Sequence, residues 1–272
     1  MSIISIINNK GGVAKTTTAF TLGAYLAKTG KKVLLLDIDA QMNLTEKGMS
    51  QDQEQENNDD YTIIDFLTGS DKNPSFYSNE EGTLMTMKGD SRINDFLTIN
   101  KELSPEEYKV RKFLFKNKAR LLKTAFDYII LDCAPGMFNS ENLLTPTEVV
   151  LLGTDYVIVP ANDGKDSILG LYKVFDAVKR IKVDNPNIKL LGMVLTIVNK
   201  GEIVFQHYKD YTKELIGDLL FDSYIRRSAD MKKSLEENIA IFDYDKNCIA
   251  AQDYEKFGEE VLSRIKNYEN EK

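Results

Sequence analysis

The chain is poor in the residues that build disulfide frameworks and protein-only metal centres. Among its 272 residues it has two cysteines, Cys133 and Cys248, which lie far apart, and a single histidine, His207. Two distant cysteines allow neither a disulfide framework nor a cysteine-rich zinc site. One histidine excludes a site with two histidine ligands. The composition is typical of a protein kept in a reducing cytosol.

Long apolar runs are also absent. No run approaches the roughly 18 residues that span a bilayer, and the first four residues lack the basic flank of a signal peptide. Apolar residues make up 42% of the chain and charged residues 28%. This balance supports one large α/β domain or two small ones rather than a disordered chain. We therefore expect a soluble, cytoplasmic protein without membrane association.

The chain also has no excess of basic residues. Lys and Arg number 35 against 42 Asp and Glu, which gives a net charge of -7. This charge argues against a surface that binds nucleic acid everywhere, although it allows a local basic patch. Residues 109–123 contain such a run on a predicted amphipathic helix. The run is consistent either with a solvated helix face or with a nucleic-acid or partner patch.

What the chain does have is a regular alternation of buried strands and helices. Near-continuous apolar runs, which predict strands buried on both faces, occur at residues 2–7, 33–36, 128–131, 156–159 and 189–195. The first run is followed by the Gly11-Gly12 break and a helical pattern that Gly30 ends. Strand, helix and strand in this order predict a right-handed parallel βαβ unit. The whole pattern predicts an α/β fold with a single doubly wound, mostly parallel sheet flanked by helices.

No repeat and no Pro/Gly-rich linker divides the chain, so we expect one domain over residues 1–272. The pattern lapses around residues 46–81, where residues 51–60 are polar and acidic, and we interpret this stretch as a solvated surface excursion. Residues 61–67 predict a short helix that packs back on the domain. Residues 250–267 predict an amphipathic helix with mixed charges.

The loop after the first strand has the composition of a phosphate-binding site. Gly11 and Gly12 allow the main chain to approach phosphate oxygens, and the following helix start adds the dipoles of its N–H groups. Lys15 supplies a positive charge to the β and γ phosphates, and Thr16 supplies a hydroxyl to Mg²⁺. The pattern is Lys10-Gly11-Gly12-x-x-Lys15-Thr16 rather than the standard P-loop, which has glycine where Asn9 and Ala14 stand.

The extra lysine before the glycine pair resembles the signature of the ParA/MinD family of P-loop ATPases, the deviant Walker A type. Two further segments are similar to this family. Residues 37–43 read Asp-Ile-Asp-Ala-Gln-Met-Asn, and residues 127–136 resemble the Walker B strand and the switch after it. The resemblance extends over most of the chain. Ala14 departs from the usual glycine at its position in the family pattern.

A carboxylate at the C-terminal end of a parallel strand lies beside the nucleotide loop, so Asp132 can hold Mg²⁺ and Asp39 can orient the attacking water. By resemblance, Asp37 supports the metal region, and Lys10 reaches the phosphates of the second subunit in an ATP-dependent homodimer. Asn199 is where the resemblance puts an adenine contact. The predicted catalytic residues are Lys10, Lys15 and Asp39. The predicted nucleotide-binding residues are Lys10, Gly11, Gly12, Val13, Ala14, Lys15, Thr16, Thr17, Gly136 and Asn199. The predicted ligands of Mg²⁺ are Thr16, Asp37 and Asp132.

Members of this family differ in the surface on which the ATP-bound dimer sits. MinD-type members carry a C-terminal amphipathic helix for membranes, but residues 264–272 mix charges and offer no leucine-rich face. Residues 224–245 resemble the stretch in which ParA-type partition proteins place DNA-contacting basic residues, although Asp230 stands where another arginine is common. We therefore expect non-specific DNA binding by Arg226, Arg227, Lys232 and Lys233.

The resemblance implies an ATP- and Mg²⁺-dependent ATPase that associates with the nucleoid and segregates DNA, such as a plasmid, with a ParB-like centromere-binding partner. Because no helix-turn-helix segment precedes the first strand, we expect no operator-specific DNA binding through one. Two alternatives stay open, a MinD-like membrane-positioning ATPase and a nucleotide-switched regulatory or scaffold module with negligible hydrolysis. An iron-sulfur reductase ranks below both, because Cys133 and Cys248 do not match its cysteine pattern.

Overall fold

The structure is a computed structural model that describes residues 1–49, 60–135, 143–162, 165–199 and 203–270. Its centre is an eight-stranded sheet in the order β3-β4-β2-β5-β1-β6-β7-β8, in which only the β3–β4 pair is antiparallel. The strands are β1 Ser2–Ile6, β2 Val33–Ile38, β3 Tyr77–Ser78, β4 Leu84–Met87, β5 Tyr128–Cys133, β6 Tyr156–Ala161, β7 Lys189–Val198 and β8 Leu220–Arg226. The predicted mostly parallel sheet is confirmed.

Helices cover both faces of the sheet. The helices are α1 Lys15–Lys28, α2 Asn43–Gly48, α3 Ile63–Thr68, α4 Phe96–Lys101, α5 Pro105–Leu122, α6 Pro146–Leu151, α7 Lys165–Ile181, α8 Ile203–Ile216, α9 Ala229–Glu236, α10 Ile241–Tyr244 and α11 Ile249–Asn270. One core cluster joins the sheet to α1, α2 and α9–α11, and the other joins it to α3–α8. This is the doubly wound arrangement that the alternating pattern predicts.

The three central strands are buried along their whole length, apart from a half-buried Tyr128 at the start of β5. Strands covered on both faces need apolar residues at nearly every position, which explains their continuous apolar runs. The register pairs Ile6 with Asp132 and Asp37 with Asp132. The carboxyl ends of β1, β2 and β5 therefore meet at one edge of the sheet, and the residues that follow these ends are brought together there.

Several helices begin where the sequence carries a capping signal. Ser104 precedes α5 and accepts a hydrogen bond from the Glu107 N–H, while the Glu107 carboxylate accepts from the Ser104 N–H. Thr145 and Glu148 form the same reciprocal pair at the start of α6. In both helices a proline occupies the first helical turn, where its missing N–H costs no hydrogen bond.

The predicted excursion contains more secondary structure than its composition suggested. The helix expected over residues 61–67 is confirmed as α3, whose Ile63, Phe66 and Leu67 are buried in the core. The short strand β3 adds an antiparallel edge to β4 and was not predicted, because two residues carry no periodic signal. Of the polar, acidic residues 51–60, all except Asp60 lie outside the described residues.

The C-terminal helix α11 covers the edge strand β8. The Glu260 carboxylate accepts hydrogen bonds from the N–H groups of Asp222 and Ser223, each at 2.9 Å. The Arg264 guanidinium donates to the Leu220 carbonyl at 2.7 Å. Side chains of α11 thus satisfy backbone groups that an open sheet edge would offer to another chain. In the described part of the chain no helix is both long and apolar enough to cross a membrane.

Candidate functional site

The loop between β1 and α1 leaves open space above its backbone. Gly12 has φ 71° and Ala14 has φ 61°, so both residues adopt left-handed conformations. A Cβ added at Gly11 or Gly12 would meet no atom of the described residues within 4 Å. Ala14 precedes α1 and gives it no side-chain cap. The first N–H groups of α1 are therefore available to an anion that sits over the loop.

Side-chain hydrogen bonds hold the backbone of the loop in place. The buried Asn8 side chain donates to the Pro160 carbonyl at 2.7 Å and accepts from the Lys10 N–H at 3.0 Å. Gly170 on α7 lies so close that a Cβ there would be 2.6 Å from Asn8 Oδ1. On the other side, Thr196 Oγ1 donates to the Val13 carbonyl at 3.1 Å. Sequence reasoning missed these supports, since their only signal is a polar residue at a strand end or within an apolar strand.

The two lysines of the motif take different positions. Lys15 is buried, and its ammonium group donates to the Lys10 carbonyl at 3.3 Å. Burial lowers the pKa of Lys15, while the neighbouring carboxylates of Asp132 and Asp39 act in the opposite direction. The Lys10 ammonium group donates to Asn162 Oδ1 at 3.4 Å, just beyond the end of β6. Lys15 therefore lies inside the loop, and Lys10 lies on its half-exposed outer side.

Asp132 and Thr16 form a pair of oxygen ligands at the end of β5. Thr16 Oγ1 donates to Asp132 Oδ2 at 2.5 Å, whereas Asp132 Oδ1 is buried with no hydrogen-bond partner among the described residues. Burial, reinforced by the charge of Asp37, raises the pKa of Asp132 to about 8. A buried carboxylate with an unpaired oxygen next to a hydroxyl fits a hard cation such as Mg²⁺.

A cation here would depend on more than protein side chains. The described part of the chain contains no group of three or more His, Cys, Asp and Glu residues arranged to hold a metal ion. Mg²⁺ is commonly held by one or two protein ligands, with waters and substrate phosphates completing its octahedron. The Thr16–Asp132 pair has the composition of such a partial site.

The carboxylate of Asp37, a predicted metal ligand, accepts hydrogen bonds from groups of the same chain. Its carboxylate accepts from the N–H and the hydroxyl of Thr45, both at 2.9 Å, and from the Asp39 N–H at 3.2 Å. Burial raises the pKa of Asp37 to about 6, although the hydrogen bonds from Thr45 oppose this shift. Asp37 thereby ties the start of α2 to the end of β2. Its contact with a metal stays a prediction.

Asp39 is the more accessible carboxylate after β2. It is half-buried, and its Oδ1 accepts a hydrogen bond from the Gln41 N–H at 3.0 Å in a local turn. Its charge acts on both Lys15 and Asp132, so it belongs to the same cluster. This arrangement is compatible with the predicted role in orienting water.

Comparison of the chain with known proteins shows its family. The model of the AAA_31 family, an AAA domain, matches residues 1–190. The chain belongs to this family. It is also 27% identical to the chromosome partitioning protein ParA of Caulobacter vibrioides over 97% of this chain and 95% of that protein. The resemblance to the ParA/MinD family is confirmed.

Solved structures share the fold along nearly the whole chain. A plasmid partition protein from Borrelia burgdorferi has a TM-score of 0.73 at 22% identity and covers 97% of this chain and 98% of its own. Cobyrinic acid a,c-diamide synthase from Mycobacterium smegmatis, solved with a bound ATP analogue and magnesium, has a TM-score of 0.76 at 22% identity, with coverage of 98% and 96%. These similarities confirm the fold predicted for this member of the AAA_31 family.

Two predicted nucleotide contacts, Asn199 and Gly136, are distant from the loop in sequence. Asn199 directly follows β7 and is exposed. Gly136 lies outside the described residues. Thr17 is half-buried in the first turn of α1. The adenine contact of Asn199 and the role of Gly136 stay predictions.

The four residues predicted to contact DNA fall into two groups. The Arg226 guanidinium forms a two-point ion pair with Asp253 of α11, at 2.8 and 2.5 Å. Arg227, Lys232 and Lys233 are exposed at the end of β8 and on α9, and Lys232 makes one surface ion pair with Glu236 at 3.5 Å. Arg226 therefore has a structural role, and the prediction of DNA contact rests on the other three.

The basic run on α5 is largely occupied within the molecule. Lys112 forms an ion pair with Asp184 at 2.7 Å, and Lys116 donates to the Asp184 carbonyl at 2.7 Å. Lys123 forms an ion pair with Asp155 at 2.7 Å. These contacts attach α5 to the loops around it. The run thus has a structural use that composition did not suggest.

Proposed function

We propose that this protein is a Mg²⁺-dependent ATPase of the ParA partition type. The single observation that carries the proposal is the loop after β1. There Lys10 and Lys15 flank an open glycine backbone, beside the Thr16–Asp132 pair at the end of β5. Positive charge, free helix N–H groups and a partial Mg²⁺ site are the parts that phosphoryl transfer from ATP requires. The comparisons with ParA and with a nucleotide-bound structure support it.

In this proposal the loop binds the phosphates, and the carboxylates after β2 act on water. Lys15 and the first N–H groups of α1 bind the β and γ phosphates. Thr16 and Asp132 would hold Mg²⁺, which when bound neutralises charge on the phosphate oxygens. Asp39 orients the attacking water, and Asp37 holds the start of α2 through Thr45 so that Asp39 keeps its position.

Steady-state release of phosphate from ATP tests the enzymatic part. We expect Lys15→Ala and Asp39→Ala to lower turnover by about 100-fold or more, because each removes a group that acts on the transition state. Lys31→Ala, which changes an exposed lysine in the turn after α1, is the matched control and should keep the turnover of the parent. Nucleotide binding with negligible turnover, even with DNA and partner present, would favour the scaffold alternative.

The proposal includes an ATP-dependent homodimer in which Lys10 contacts the phosphates of the second subunit. Lys10 suits this role because its ammonium group lies on the outer side of the loop, where its hydrogen bond to Asn162 is long at 3.4 Å. Light scattering on the protein with ATP or a non-hydrolysable analogue would measure the mass. We expect Lys10→Ala to stay monomeric under conditions in which the parent and Lys31→Ala dimerise. A Lys10→Ala variant that dimerises like the parent would contradict this role.

We further propose that the dimer binds DNA non-specifically and partitions a DNA cargo together with a ParB-like partner, in the cytoplasm on the nucleoid. The apolar residues of α11 support DNA rather than membrane as the platform, because Tyr254, Phe257 and Val261 are buried in the core. A contact of Lys47 supports the proposal that DNA binding depends on the bound nucleotide. This residue of α2 donates to the Leu235 carbonyl at 3.0 Å and so links the helix after Asp39 to α9.

Cosedimentation with DNA and with anionic liposomes separates the two platforms. We expect DNA binding with ATP or its non-hydrolysable analogue, weak binding with ADP, and no binding to liposomes. Liposome binding without DNA binding would favour the MinD-like alternative. Stimulation of turnover by a ParB-like centromere-binding protein would support the proposed partner.

A further inference from the structure

The strand β7 is irregular where it passes the phosphate loop. Its pairing with β8 shifts register between Leu195 and Val198. Within this shift Ile197 has φ 58°. A β-branched residue in the left-handed region is a strained conformation, which persists only where the surroundings hold it. The irregularity is therefore a feature that the rest of the fold maintains at this place.

The residue before the strained isoleucine connects β7 to the loop. Thr196 is completely buried, and its hydroxyl donates to the Val13 carbonyl at 3.1 Å across 183 positions of sequence. The residue after Val13 is Ala14, with φ 61°. Two left-handed residues that are not glycine thus flank one buried hydrogen bond. Strain of this kind clusters at ligand-binding positions, so an observed outlier can be used to infer function.

We propose that Thr196 is a positioning residue of the nucleotide site. Its hydroxyl holds the Val13 carbonyl toward the core. Because the trans peptide is planar, this fixes the Ala14 N–H on the opposite side. The bond lets the loop keep a left-handed residue where alanine replaces the glycine of the family pattern. This role rests on the proposed function, since the bound phosphates are taken to be those of ATP or ADP.

The test compares the affinity for a fluorescent ADP analogue among variants of the full chain. We expect Thr196→Val to weaken binding by about tenfold, because valine keeps the shape and loses the donor. Thr196→Ser restores the hydroxyl and should bind within about twofold of the parent. Thr212→Val is the matched control. Thr212 is also fully buried, and its hydroxyl donates to the Tyr208 carbonyl at 2.7 Å on α8. It should lower thermal stability without changing affinity.

A second comparison separates positioning from general destabilisation. In an Ala14→Gly background the left-handed conformation is unstrained. We therefore expect Thr196→Val to weaken binding there by less than about threefold. An equal loss in both backgrounds would overturn the role, as would a Thr196→Val protein that binds like the parent or a serine variant that binds like the valine one.

Measurements on the parent protein separate a failure of the Thr196 role from a failure of the proposed ATPase function. A parent that binds no adenine nucleotide would overturn the proposed function and the role of Thr196 with it. A parent that binds the ADP analogue, together with a Thr196→Val variant of equal affinity, would overturn the role of Thr196 alone.

Discussion

Ala14 adopts a left-handed conformation at φ 61° without being a glycine. For an L-residue this conformation costs about 1–2 kcal/mol, while a glycine adds about 0.5–1 kcal/mol of entropy to the unfolded chain. We therefore expect Ala14→Gly to raise the free energy of unfolding by up to about 1 kcal/mol, measured by urea denaturation. The reciprocal variant is Gly12→Ala, at a residue with φ 71° and open space around it. This change should lower the free energy of unfolding. A less stable Ala14→Gly protein would show that the strain is not real.

Asp90 is a buried carboxylate that follows the end of β4. Its oxygens accept hydrogen bonds from the Arg92 guanidinium at 2.6 Å and from the Thr62 hydroxyl at 2.7 Å. Burial alone would raise the pKa of Asp90, but the hydrogen bonds from Arg92 and Thr62 outweigh it and hold this pKa below its usual 3.8. The carboxylate is thus stabilised in the folded chain relative to the unfolded chain.

This lowered pKa predicts how stability depends on pH. The contribution of Asp90 to the free energy of unfolding is fully present above pH about 4. It is lost as the pH falls through the folded-state pKa of Asp90. At pH 7 we expect Asp90→Asn to lower the free energy of unfolding by about 1–2 kcal/mol. The difference from the parent should shrink below pH about 4, as measured by urea denaturation across pH. Asp95→Asn, an exposed neighbour, is the control, and a difference independent of pH would contradict the prediction.

At the scale of elements, the packing of α11 on α1 depends on a residue without a side chain. A Cβ added at Gly258 would lie 2.3 Å from the ring of Tyr25. Gly258→Ala gains about 1 kcal/mol of helix propensity but overpacks this contact, which typically costs 1–3 kcal/mol or somewhat more. We expect a net loss of about 1 kcal/mol in the free energy of unfolding, measured by thermal denaturation.

The same helix offers the control for this prediction. Ser263→Ala, on the exposed side of α11, should be neutral or slightly stabilising, because it changes propensity alone. In a Tyr25→Leu background the Gly258→Ala change should lose most of its cost, since the ring is gone. A stabilising effect of Gly258→Ala in the parent would mean that the two helices can move apart freely.

The longer buried parallel strands could be predicted, whereas the short strands β3 and β4 and the edge strand β8 could not. The runs at the centre of the sheet are apolar at almost every position, because helices cover both faces. Strand β8 mixes buried, half-buried and exposed residues without a regular period and is irregular in register, so its residues suggested only a basic segment. An edge strand depends on what covers it, and here that is α11, which follows β8 in sequence by more than 20 residues.

At the scale of the whole molecule, the proposed DNA contacts predict a dependence on salt. Arg227, Lys232 and Lys233 lie on the layer of α9 and α11, while α5 packs on the opposite face of the sheet. Changing all three to alanine should weaken ATP-dependent DNA binding. It should also reduce the slope of log affinity against log salt by about 2–3 per protomer, since each phosphate contact adds about 0.9.

Binding at several salt concentrations, measured by fluorescence anisotropy with a non-hydrolysable ATP analogue, checks this prediction. The control variant changes Lys109 and Arg120 of α5 to alanine, which removes two positive charges, against three in the triple variant, from the other face of the sheet. It should leave the slope within about 0.5 of the parent. A control that reduces the slope as much as the triple variant would indicate that net charge, and not the α9 surface, determines binding.

Short-range patterns in the chain were sufficient to identify the phosphate loop, its lysines, the helix that follows and the family resemblance. The loop, its lysines and the helix lie within residues 2–28, where strand, turn and helix are encoded by neighbours in sequence. The resemblance also uses residues 37–43 and 127–136, which are again short continuous segments. The supports of the loop and the use of Arg226 emerged only from packing. The Thr196–Val13 bond joins residues 183 positions apart, and Arg226 lies opposite Asp253 because α11 folds over β8. Whether a threonine supports a loop, or an arginine faces solvent, depends on which distant backbone the fold brings beside it.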